Sequence, residues 1–169
     1  MILTSAQAAK LLRKLNDEYG AILNREEMSR SFNAAMGEDP KTVRSEYDYT
    51  KTQNELDALE KKIRKLKHAI NAFNVSHTVP GYDMTVDEML VYIPQLTKRK
   101  EKLADMRSKL PKARVEERYG RSSNIIDYVY TNYDINAVKS DYEKVSDELS
   151  KAQLALDEIN GSETFEIEL

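Results

Sequence analysis

The stretch from Thr52 to Phe73 constrains the fold of this chain more than any other. Its apolar residues recur at alternating steps of three and four, the heptad pattern of a helix with one apolar seam. The seam consists of Leu56, Leu59, Ile63, Leu66, Ile70 and Phe73. Such a helix extends over roughly 33 Å at the usual rise per residue. Because a seam on one side of a helix needs another helix to cover it, the pattern predicts helix-on-helix packing.

The composition is typical of a protein built from long, charged helices. Charged residues make up 33% of the 169 residues and hydrophobic residues 40%, with only 5 Gly and 4 Pro. No window approaches the ~20 apolar residues of a membrane-spanning helix, and no signal peptide is recognisable after Met1. The absence of cysteine excludes disulfides and thiolate chemistry. We therefore expect a single elongated helical unit over residues 1–169, located in the cytoplasm.

Capping chemistry predicts where the helices begin. The tetrapeptides Thr4–Gln7 and Thr85–Glu88 match the capping box, in which the first and last side chains each accept a backbone N–H of the other. Asp39 followed by Pro40 is a third helix-entry signal, because proline at the first helical position lacks only an N–H that would have no partner.

Residues 40–110 are predicted to form an antiparallel helical hairpin. Its arms cover residues 40–74 and 85–110, and the turn residues Val79–Tyr82 lie between them. A C-terminal helix with its own heptad seam is predicted over residues 134–160. Together with the helix that begins after Thr4, this gives a mainly α fold of about four long antiparallel helices in coiled-coil packing.

The sequence predicts a β-hairpin over residues 113–131. Two segments rich in β-branched and aromatic residues flank the turn sequence Gly120–Ser123. A two-stranded ribbon alone is marginally stable in water, so it needs a helix face or a third strand. Hydrophobic residues alternate with glutamates in the tail Phe165–Leu169, which makes this segment a candidate for the third strand of a small sheet.

Charge is distributed unevenly along the chain. Residues 95–121 contain 10 Lys/Arg and 4 Asp/Glu, a net charge of +6, whereas residues 134–169 contain 3 and 10, a net charge of -7. The predicted hairpin would place a second basic run beside the first, forming a basic collar. Its members are Lys61, Lys62, Lys65, Lys98, Arg99 and Lys102. Segments of opposite charge often face each other; the alternative is an exposed basic surface for phosphate-bearing partners.

Tyrosines and arginines are concentrated around the predicted β-hairpin. They include Arg114, Arg118, Tyr119, Tyr128 and Tyr130. Aromatic side chains beside arginines stack on nucleic-acid bases or anchor protein interfaces. The structural alternative is that cross-strand tyrosines stabilise a small sheet.

No motif commits the chain to a reaction. Phosphate-binding loops, nucleophile elbows and zinc-protease motifs are absent from the sequence. A metal site formed by His77 with Asp83, Asp87 and Glu88 is conceivable, but these carboxylates are explained more simply as charges at a helix start. We therefore predict no catalytic residues, no metal and no cofactor.

Several short segments resemble a known family. They are the pattern of the first helix, Ile70–Asn74, Thr85–Glu88, Leu156–Asn160 and the closing Glu168–Leu169. They are similar to uncharacterised bacterial helical coiled-coil proteins, some of which carry the label septicolysin after a pore-forming toxin. Phe73 and the basic middle of the chain depart from the family pattern. The resemblance implies a helical coiled-coil fold and supplies no catalytic residues.

Three functions follow as hypotheses. The first is a non-enzymatic, homo-oligomeric coiled-coil protein that serves assembly or scaffolding through protein–protein contacts, because the heptad regions exceed what one thin hairpin buries. The second is a nucleic-acid-binding module that uses the basic collar and the Arg/Tyr hairpin. The third, suggested by the resemblance, is membrane activity of a toxin-like kind.

Overall fold

A computed structural model describes residues 1–115 and 127–169 of the chain. The described residues form five helices and two separate two-stranded antiparallel sheets, so the predicted mainly helical class with a small antiparallel sheet is confirmed. The expected coiled-coil packing of about four long helices stays a prediction. In chain order the elements are β1 (Ile2–Thr4), α1 (Ser5–Ser29), α2 (Pro40–Val43), α3 (Tyr49–Ser76), α4 (Val86–Ser108), β2 (Lys112–Arg114), β3 (Tyr128–Tyr130), α5 (Ile135–Ser162) and β4 (Thr164–Glu166).

The chain forms two compact units. The first comprises Met1–Thr78 together with Glu158–Leu169, and the second comprises Val79–Asp157. Helix α5 contributes residues to both. The expectations of a single elongated unit and of a helical hairpin over residues 40–110 concern both units and stay predictions.

In the first unit, α1 packs against α3 around a small apolar core. Ala8 and Leu66 are fully buried, and Leu15 and Ile167 are nearly so. Leu66 belongs to the heptad seam, and the neighbouring seam residues Leu59, Ile63 and Ile70 pack around the same core. The seam of α3 is therefore covered at least in part by α1 and by the C-terminal tail.

The two ends of the chain pair with each other. Strand β1 lies antiparallel to β4, with Leu3 opposite Phe165, and the N–H of Ile167 donates to the carbonyl of Met1 at 2.9 Å. The prediction that the tail adds a third strand to the hairpin sheet is therefore wrong. Strand β1 has only three residues, too few for the sequence to show an alternating pattern.

The predicted helix over residues 40–74 is interrupted near its start. Helix α2 lasts one turn, Arg44 adopts an extended conformation, and α3 begins only at Tyr49. Asp48 caps α3 by accepting the N–H of Lys51 at 3.0 Å. The extended backbone of Asp48 is that of a residue preceding a helix, so α3 starts anew at Tyr49.

In the second unit, the turn before α4 has the predicted chemistry. The N–H of Tyr82 donates to the carbonyl of Val79 at 3.1 Å, and Gly81 has φ +79°. Proline followed by a residue of positive φ is the signature of a type II turn. The capping box at Thr85 and Glu88 is also formed, and α4 continues through Pro94 to Ser108.

Heptad positions of α4 and α5 are buried. On α4 they are Met89, Leu96 and Leu103, and on α5 they are Val138, Val145, Leu149, Ala152 and Ile159. Helix α5 ends at Ser162, two residues beyond the predicted end at residue 160.

Candidate interaction site

The two strands β2 and β3 form a short ribbon in the second unit. Lys112 lies opposite Tyr130, Ala113 opposite Val129, and Arg114 opposite Tyr128. Pairing continues for one residue beyond each end, because the N–H of Val115 donates to the Asp127 carbonyl at 2.9 Å and the N–H of Thr131 to the Pro111 carbonyl at 3.2 Å. We refer to residues 112–114 and 128–130 as the ribbon.

Strand β3 exposes large apolar side chains on both faces of the ribbon. The exposed fractions are 46% for Tyr128, 59% for Val129 and 62% for Tyr130. Since side chains alternate along a strand, the tyrosines lie on one face and Val129 on the other. Among the residues that the structure describes, both faces of β3 are therefore largely exposed. A small sheet usually needs a cover on one face to be stable.

The tyrosine face also carries positive charge. Lys112 lies over both tyrosine rings, with its Nζ 4.0 Å from the ring centre of Tyr128 and 5.5 Å from that of Tyr130. A cation at these distances is attracted by the electrons of the ring face. Arg114 is exposed on the same strand as Lys112.

The ribbon contains some of the residues that the sequence nominated. Arg114, Tyr128 and Tyr130 lie on it, whereas Arg118 and Tyr119 fall outside the described residues. Lys112 and Val129 were missed as members of the surface. The exposure of Val129 has no sequence signal, because a valine between two tyrosines in a strand is usually buried.

The basic residues of α3 lie on its exposed surface. Lys61 is paired with Asp57 at 2.6 Å one turn away, and Arg64 lies 3.5 Å from Glu60. The Nζ of Lys65 is 3.4 Å from the backbone carbonyl of Glu168 in the tail. Lys62 is also exposed. Carboxylates one turn away on the same helix thus compensate part of the positive charge. Pairing of the basic segments with the acidic residues 134–169 stays a prediction.

The other members of the predicted collar lie on α4, in the second unit. Lys98, Arg99 and Lys102 are all exposed. Arg99 lines a cleft of about 310 Å³ together with Tyr92 and Glu148. In that cleft the Tyr92 hydroxyl donates to Glu148 at 3.3 Å, and burial is the main reason that the pKa of Tyr92 is raised. A collar shared by α3 and α4 stays a prediction.

A polar cleft of about 320 Å³ lies between the C-terminal half of α1 and the start of α3. Tyr47 closes one side of it by donating its hydroxyl to Glu26 at 2.6 Å, and Gln53 donates to the same oxygen at 3.0 Å. The hydrogen bond to Glu26 raises the pKa of Tyr47 to about 12. Arg25 bridges to Glu55 at 2.5 Å across the same helices. The polar groups of the cleft are thus largely engaged with each other.

Within residues 1–115 and 127–169, no group of three or more histidine or carboxylate side chains is arranged to hold a metal ion. Among the helices of the described segments, none combines the length and the apolar character that crossing a bilayer demands. His77, considered above as a ligand, instead stacks on Phe73 with ring centres 4.0 Å apart at the end of α3.

The fold defines a mainly helical protein with two small antiparallel sheets. The chain is similar in structure to a functionally unknown conserved protein from Corynebacterium diphtheriae, whose crystal structure matches with a TM-score of 0.68 at 15% sequence identity. The match covers 98% of this chain and 100% of that one, so the likeness extends over the whole fold. No family model and no curated protein matches the sequence. The resemblance to septicolysin-labelled proteins therefore stays a prediction.

Proposed function

We propose that this chain is a non-enzymatic assembly protein that acts through protein–protein contacts and associates with further copies of itself. The observation that carries the proposal is the exposure of Tyr128, Val129 and Tyr130 on both faces of a strand only three residues long. Tyrosines and apolar residues that are exposed together are characteristic of protein interfaces. A ribbon of this size gains stability when a partner covers it.

The helical seams favour coiled-coil packing within the chain, but they do not require a partner. Leu56, Leu66 and Phe73 of the α3 seam are buried in the single chain, as are most of the heptad positions of α4 and α5. Regular burial of every third or fourth residue is what coiled-coil packing produces. Because these seams are already covered, we assign the contact between copies to the ribbon.

The native mass in solution tests the proposal. Light scattering is measured over a range of protein concentrations at low and at high salt, together with the ratio of absorbance at 260 and 280 nm. We expect a discrete oligomer, free of nucleic acid, whose mass does not fall at high salt, because apolar contacts are not screened by ions. A monomer at all concentrations would contradict the proposal.

Nucleic-acid binding is the second candidate. It is favoured by the five cations within Lys61–Lys67, all of which are exposed, in a segment that contains no carboxylate. The test is fluorescence anisotropy with a labelled single-stranded and a labelled duplex oligonucleotide. Binding that weakens steeply with salt supports this function, whereas no binding at low salt removes it. The variant Lys62→Glu should weaken any such binding, and Lys41→Glu on α2 is the matched control.

A further inference from the structure

The hydrogen-bond pattern of the ribbon identifies which backbone groups are available at its outer edges. Val115 bonds to Asp127, and Thr131 bonds to Pro111. Hydrogen-bonded pairs alternate with non-bonded pairs along an antiparallel ladder, so Ala113 and Val129 form the bonded pair between them. Tyr128 and Tyr130 must then direct their N–H and C=O groups away from β2. No other described residue forms a hydrogen bond with these groups.

The two edges of the ribbon differ in their resistance to further pairing. The edge of β2 carries Lys112 and Arg114 and follows Pro111. Charged residues and proline are the usual means by which an edge strand avoids pairing with another chain. The edge of β3 has no such protection, because Tyr128–Tyr130 contains neither a charged residue nor a proline. A new strand can therefore be added at β3 but is opposed at β2.

We propose that β3 pairs antiparallel with β3 of a second copy of this chain, about a two-fold axis at Val129. This inference rests on the proposed function and names the surface through which it operates. The axis places Tyr128 opposite Tyr130 of the partner subunit, and the converse pair is identical by symmetry. Both are bonded pairs, so every outward N–H and C=O of the two tyrosines finds a partner. The two ribbons together form a four-stranded sheet.

Self-pairing suits this edge for two further reasons. The cross-strand tyrosine pairs across the axis are among the favourable pairs of antiparallel sheets. The cations Lys112 and Arg114 lie on the outer strands of the four-stranded sheet, where the two sets are separated by both copies of β3. Pairing through β2 would instead place like charges side by side. The arrangement is closed, because each copy uses the same edge once.

A single-cysteine variant tests the axis directly, since the chain has no cysteine of its own. At the axis, Val129 faces the partner's Val129 in a non-bonded pair with Cα atoms about 4.5 Å apart, which is within disulfide range. We expect the Val129→Cys variant to form a covalent dimer under mild oxidation on a non-reducing gel. The control Arg114→Cys is exposed but distant from the axis, so it should remain uncross-linked. Equal cross-linking of the two variants would overturn the assignment.

A second experiment introduces positive charge into β3. In Tyr128→Lys/Tyr130→Lys each new cation faces another across the axis, and we expect the association between copies to weaken at least tenfold. Tyr49→Lys is the control, because Tyr49 is at least as exposed as either tyrosine, at 66%, and lies in the first unit. An oligomer that survives the double substitution, without Val129→Cys cross-linking, overturns this interface and leaves the proposed function standing. A monomeric wild-type protein overturns the proposed function itself.

Discussion

At the scale of single residues, Tyr47 shows how one side chain can position the segment that connects two helices. Its hydroxyl reaches across to Glu26 on α1, and this contact holds the extended segment between α2 and α3 against the helix pair. The contact links residues 21 positions apart. It helps to explain why residues 40–74 do not form one continuous helix.

The pH dependence of stability should reveal this contact. The pKa of Tyr47 is raised from 10.0 to about 12, first because its hydroxyl donates to Glu26 and then because burial and the negative charge of Glu26 disfavour the phenolate. A raised folded-state pKa gives a contribution to stability that is complete below pH 10 and is lost as the pH rises from 10 to about 12. We expect the urea midpoint of the wild type to fall more steeply over this range than that of Tyr47→Phe. Tyr49→Phe should behave like the wild type.

At the scale of elements, the start of α4 depends on local chemistry. The Thr85 hydroxyl accepts the N–H of Glu88 at 3.2 Å, and Glu88 accepts the N–H of Thr85 at 2.7 Å. The hydrogen bond from the Thr85 backbone is the main reason that the pKa of Glu88 is lowered. Both orphan donors at the helix start are thereby satisfied within four residues.

Removal of this cap should destabilise the second unit measurably. We expect Thr85→Ala to lower the free energy of unfolding by about 1 kcal/mol, because one backbone N–H loses its partner. Urea denaturation followed by circular dichroism measures the change. Thr85→Ser keeps the hydroxyl and should restore most of the loss. Gln95→Ala, at an exposed position of the same helix, should change the stability by less than about 0.5 kcal/mol, so an equal loss there would argue against capping as the cause.

Whether a feature could be predicted from the sequence depends on how far apart in the chain its interacting residues lie. Capping at Thr4 and Thr85 and the turn at Gly81 were predictable, because each depends on residues within a few positions. The heptads identified the buried faces of α3 and α5 for the same reason. The pairing of β1 with β4 was not predictable, because it joins residues 160 or more positions apart. The exposure of Val129 depends on what the rest of the unit leaves uncovered, and no local pattern encodes it.

At the scale of the whole molecule, the first unit is closed by the two ends of the chain. The amino group of Met1 donates to the carbonyl of Ile167 at 2.6 Å, and the Ile167 side chain is 7% exposed in the core with Leu66. Burial of this one isoleucine therefore ties the tail to α1 and α3. Contacts this distant in sequence carry a large loop-closure cost and are expected to form late in folding.

Shortening the side chain of Ile167 should therefore mainly increase the rate of unfolding. We expect Ile167→Ala to lower the free energy of unfolding by about 2 kcal/mol. This is the lower end of the range for a buried isoleucine, because the tail can relax into part of the cavity that the lost atoms leave. The loss should appear as faster unfolding with little change in the refolding rate, because contacts that form late are absent from the transition state. Stopped-flow measurements in urea separate the two rates. Ile2→Ala is the control, since Ile2 is 70% exposed on the paired strand and its loss should cost less than about 0.5 kcal/mol. A slower refolding of Ile167→Ala with an unchanged unfolding rate would mean that the chain ends meet early, and that the unit forms around its sheet rather than around α1 and α3.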